Sequence, residues 1–96
     1  MNQGLTIEQK FSFEKYKREV ESITERPVLI EYIETVQKLN QRKIELLFEM
    51  FSVIVILPKN KIKLEAASLK TLRNILNEGL LFSIQMDSHV KELSRR

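Results

Sequence analysis

Chemistry in this chain would have to start from very few side chains. His89 is the single histidine and cysteine is absent, so neither a thiolate zinc site nor a two-histidine site can be assembled within one chain. His89 falls close to the polar C-terminal end, where an exposed helical position is the ordinary reading. Gly4 and Gly79 are the only glycines, which leaves no glycine-rich phosphate loop. Glu31 and Glu34 share a helix face, but so do most glutamate pairs on solvated helices. Serines are plentiful, yet with one histidine no Ser–His arrangement stands out. The expectation is a protein that is not an enzyme, binds no metal or cofactor, and works by binding other molecules.

The elements that would position a binding surface are helices. "LTIEQKFSFEKYKREVESIT" opens with Thr6 and Gln9 at the spacing of a capping box. Phe13, Tyr16, Val20 and Ile23 then recur at spacings of three and four, a narrow stripe on a helix from about Ile7 to Ser22. At "ITERPV" the pattern restarts, with Thr24 as N-cap and Pro27 in the first turn. A connection this short makes the two helices nearly antiparallel. In the second helix Leu29, Tyr32, Ile33, Val36, Leu39, Leu46, Leu47, Met50 and Phe51 keep helical spacing, interrupted by Asn40–Lys43. Either the stripe drifts there, because 3.6 residues per turn do not match a seven-residue repeat, or Arg42 and Lys43 face a partner. The spacing predicts a hairpin whose first stripe lies against the second helix. Apolar residues left over, notably Phe11, Val28 and Leu47, are then covered by a second copy in an open four-helix bundle.

Beyond Phe51 the composition changes. Residues 53–57 are a β-branched run followed by Pro58, and they read as a continuation of the second helix or, less favoured, a short strand paired with 61–64. A further helix starts at Ser68 as N-cap and carries Leu69, Leu72, Ile75 and Leu76 to Gly79 as C-cap. A final apolar stretch closes the chain with a polar end. The fold class expected is all-α, with residues 1–51 as the hairpin and residues 52–96 as a mostly helical extension.

Charge bounds the partners. The net charge is +3, and it is uneven: residues 1–50 hold 8 basic side chains against 9 glutamates, residues 51–96 hold 8 against 4 acids. Lys59, Lys61 and Lys63 make the one internal cluster, so a weak nucleic-acid surface over residues 59–73 is the alternative reading to a solvated basic face. No signal peptide opens the chain, and no apolar run approaches bilayer length. A soluble intracellular protein is expected.

The opening stretch also resembles the phycobilisome degradation protein (NblA) family of cyanobacteria and red-algal plastids. That family's pattern, L-S-L-E-Q-x-F, then an aromatic, a valine and M-S, is matched without a gap at Leu5, Ile7, Glu8, Gln9, Phe11, Tyr16, Val20 and Ile23–Thr24. Tyr32, Ile33, Val36, Leu39 and Arg42 correspond more loosely to its second helix. The resemblance covers about residues 5–50. It implies a homodimeric proteolysis adaptor that binds phycobiliprotein subunits and a Clp chaperone during nutrient shortage, in a plastid stroma or a cyanobacterial cytoplasm. Phe13, Tyr16, Val20, Ile23, Leu29, Ile33 and Val36 would then pack the hairpin and dimer. Arg42, Lys43, Leu47, Met50 and Phe51 would meet the partner. The family often ends its second helix in Leu-Leu-Lys, whereas Glu49–Met50–Phe51 here has no lysine.

Overall fold

The computed structural model describes residues 5–56 and 63–95. The chain is all-α: α1 (Ile7–Ser22), α2 (Arg26–Phe51), a single 3-10 turn (Leu64–Ala66) and α3 (Leu69–Ser94), with no strand among the described residues.

The local signals at the helix starts act as their chemistry dictates. The Thr6 hydroxyl accepts from the Gln9 backbone N–H at 3.1 Å and the Gln9 side chain accepts from the Thr6 N–H at 3.0 Å. The Ser68 hydroxyl accepts from the Thr71 N–H at 3.1 Å. α2 differs: its cap is Glu25 rather than Thr24, without a side-chain bond. Pro27 supplies the preset φ and needs no donor in the first turn, so the helix starts there without a capping hydroxyl.

The hairpin seam is the main correction. α1 makes almost no close approach to α2; both pack on α3 instead. Cross-links define the directions. Asn40 Nδ2 donates to the Gly79 carbonyl at 3.0 Å and Lys43 Nζ donates to Ser83 Oγ at 2.7 Å, while Arg26 reaches the Ala67 carbonyl. Rising numbers meet rising numbers, so α2 and α3 run parallel. Arg73 donates to the Ile23 carbonyl and Ser88 to Gln9 Oε1, so α1 runs antiparallel to α3. The stripe of Phe13 and Val20 therefore lies against the helix that was expected to be accessory.

The core follows from this. Val20, Leu29, Ile33 and Val36 cluster with Ala67, Leu72 and Leu76, so residues on both sides of Phe51 share one interior, and 1–51 and 52–96 are not separate packing units. In α3, Leu72, Leu76, Ser83 and Met86 are buried with Gly79 between them, a run of three- and four-residue steps that continues past the expected stop. Gly79 is not a C-cap. It sits mid-helix, where a Cβ would stand 3.0 Å from Val36 Cγ1, so the helix forgoes about 1 kcal/mol of propensity for close approach to α2.

Parallel neighbours need a long return. A 26-residue helix is roughly 39 Å long, a span that the residues between Phe51 and Leu69 can cover when extended. Residues 53–56 accordingly leave the helix, correcting the expected continuation. Ser52 takes a left-handed φ of 56°, its N–H bonds back to the Phe48 carbonyl at 2.9 Å and that of Val53 to the Leu47 carbonyl at 3.3 Å, and residues 53–56 that follow belong to no helix or strand among the described residues. Of the expected partner residues 61–64, 61 and 62 lie outside those described, Lys63 caps the 3-10 turn and Leu64 is in it.

Candidate interaction surface

None of the candidate chemistry converges. No group of His, Asp and Glu that could hold a metal occurs among the described residues, and His89 is exposed. Glu31 and Glu34 are exposed on a shallow face shared with Arg26, Lys38 and Glu65, open to solvent.

The charged interruption of α2 has a structural purpose that neither expected explanation contained. Asn40 is 2% exposed and points at α3, where its amide nitrogen finds Gly79 while its Oδ1 has no hydrogen-bond partner. One turn on, Lys43 is held by Ser83 Oγ and by Asp87 Oδ1 at 2.8 Å. A polar rung thus crosses the α2–α3 seam. Arg42 points the other way, to solvent.

The residues expected to pack divide. Phe13, Val20, Leu29, Ile33 and Val36 are buried and Ile23 half-buried. Tyr16 is exposed, at the mouth of a cleft between α1 and α2 with Tyr32 opposite and Leu76 and Leu80 as floor. The residues expected to meet a partner divide as well. Arg42 and Met50 are exposed and Phe51 is half-buried. Leu47 is fully buried, so it contributes to the fold rather than to a surface, and Lys43 is engaged by α3. Of the basic residues in the alternative reading, Arg73 is spent inside the fold, where two of its nitrogens donate to the Ile23 carbonyl at 2.9 and 3.3 Å at the negative end of α1. Lys63 and Lys70 are exposed, and Lys59 and Lys61 lie outside the described residues.

Apolar side chains also stand free. At the end of α2, Phe48 is exposed and lines a notch with Ile44, Val53, Ile54 and Val55, flanked by Glu45 and Glu49. Ile54 and Ile56, in the segment that follows the helix, are 77% and 84% exposed. Phe48 had no signal in the stripe pattern because it lies off the face of Leu47; its nearness to Ile44 one turn earlier is the trace in the sequence. Along the opposite flank of α2, Val28, Tyr32, Leu39, Leu46 and Met50 are also exposed. No helix among the described residues is long and apolar enough to cross a membrane. Compared with known proteins, the chain matches no family model, no curated protein and no solved structure.

Proposed function

We propose that the chain is a proteolysis adaptor: it binds phycobiliprotein subunits through the end of α2 and brings them to a Clp-type chaperone under nutrient stress, acting as a homodimer. The observation that carries the binding role is the pair of exposed apolar side chains Phe48 and Ile54, which line one notch with Ile44, Val53 and Val55 between Glu45 and Glu49, with Met50 and Ile56 exposed close by in sequence. Exposed aromatic and aliphatic side chains at a helix exit are what a protein partner desolvates, and a cluster of them on a small domain marks an interaction site. The cargo and the chaperone rest on the resemblance of residues 5–50. A plastid stroma or cyanobacterial cytoplasm follows from the same reading.

The test is capture of phycobiliprotein from an antenna-containing extract by the tagged chain. The wild type should retain a coloured subunit at moderate salt, and Phe48→Ser should lose it while keeping its helical circular dichroism. Capture of nucleic acid instead, collapsing steeply with salt, would replace this reading with the basic-surface alternative. No capture of either, or full capture by Phe48→Ser, would overturn the assigned surface.

A further inference from the structure

We propose that two copies of the chain pair antiparallel through the outer flank of α2, with the two-fold axis passing at Leu39. The proposal deepens the dimeric part of the reading above and rests on it only there, since it needs no cargo. Val28, Tyr32, Leu39, Leu46 and Met50 are between 36% and 65% exposed, although each belongs to a helix whose neighbouring face is buried. α3 covers the face of Leu29, Ile33, Val36 and Leu47, and α1 does not close over the flank beside it.

The spacing of these five residues names the occupant. Their steps are four, seven, seven and four, the same read from either end. Residues seven apart on a helix differ by only about 20° in direction, so Tyr32, Leu39 and Leu46 form one ridge. An isologous contact requires that a surface complement itself after a half-turn. Here the half-turn sets Tyr32 of one copy beside Leu46 of the other, Val28 beside Met50, and Leu39 against itself. A different protein would have no use for that symmetry; a second copy does. At the margin, Arg42 of one copy comes within one residue's rise, about 1.5 Å, of the level of Thr35 of the other, a donor near a hydroxyl that can still accept. Tyr16, across the cleft from Tyr32, widens the ridge at each end of the pair. A contact between two such helix flanks belongs to the small end of stable interfaces, about 1,200 Å² in total.

The absence of cysteine makes the geometry directly testable. Packed helices lie about 8–10 Å apart, which brings facing Cα atoms on a dyad near the roughly 4.4–6.8 Å that a disulfide spans. Mild oxidation of Leu39→Cys should give a covalent dimer at least about ten-fold faster than Phe11→Cys, a control whose native side chain is more exposed but lies on α1. Leu39→Lys sets two ammonium groups against each other and should shift the sedimenting mass from about twice 11.4 kDa to 11.4 kDa. A wild-type dimer without preferential Leu39 cross-linking would overturn this face and leave the dimer standing. A wild-type monomer at ~100 μM would overturn both. If Leu39→Lys lowers helicity, the cross-linking rates alone decide.

Discussion

Gly79 of α3 lies so close to Val36 of α2 that a Cβ would stand 3.0 Å from the valine Cγ1. Gly79→Ala gains roughly 1 kcal/mol of helix propensity, but Val36 is β-branched and nearly fixed in its rotamer, and its buried side chain has little room to yield. The expected result is a net loss of about 1 kcal/mol. In a Val36→Ala background the same substitution should become stabilising. Denaturant melts of the two single variants and the double variant measure that coupling, and simple additivity would show that the contact is not tight.

Asn40 is the second point of contact on that seam. Its Oδ1 is buried without a partner, so replacing the whole amide with an apolar group of similar size removes an unsatisfied acceptor together with a hydrogen bond. Asn40→Leu is expected to unfold within about 1 kcal/mol of the wild type. Asn40→Asp places a charge in the same buried site and should cost about 3 kcal/mol or more at neutral pH. Thermal melting of the pair decides it: similar losses for both would mean that the seam opens to water at this position.

Adjacent basic residues should behave differently. Lys43→Ala breaks its contacts to Ser83 and Asp87 and should cost about 1 kcal/mol, the pair being partly exposed. Arg42→Ala should stay within ~0.5 kcal/mol, as for other surface changes. Equal effects on the melting temperature would show that the α2–α3 rung contributes nothing.

Cutting the chain after Phe51 should abolish cooperative unfolding, because Ala67, Leu72 and Leu76 supply three of the seven buried residues of the shared core. Circular dichroism of the fragment should show partial helix that melts gradually. A sharp transition would establish an autonomous hairpin instead.

Phe13→Ala should cost about 3–5 kcal/mol, since the ring is buried. A small domain has little more than that to lose, so the variant should be largely unfolded at growth temperature. Normal melting would place Phe13 on a binding surface rather than in the core.

Several elements were legible in the residues themselves because their causes are local. The Thr6–Gln9 capping box, the Ser68 cap and Pro27 in the first turn of α2 depend on groups within four positions of one another. Helical period put Phe13, Val20, Leu29, Ile33 and Val36 on apolar stripes, but it did not separate them from Tyr16, Tyr32 and Leu39, which keep the same spacing and are exposed. The role of the α2 flank was half legible: the apolar spacing is in the sequence, but its exposure is not.

Tertiary structure alone decided what each stripe lies against. An amphipathic face specifies that it must be covered and leaves open by what, because apolar burial is non-directional. A short connection argues that α1 and α2 are antiparallel, and they are, yet α3 takes the place between them that the sequence assigned to direct contact. The same choice explains Gly79, read as a stop and used for closeness, and Asn40 and Lys43, read as drift or partner contact and used as a polar rung. It explains Leu47 too, which the helix pattern could place in a core or on a surface until α3 was there to bury it. Periodicity along one helix is a property of the chain; the identity of the neighbour is a long-range outcome that no local spacing encodes.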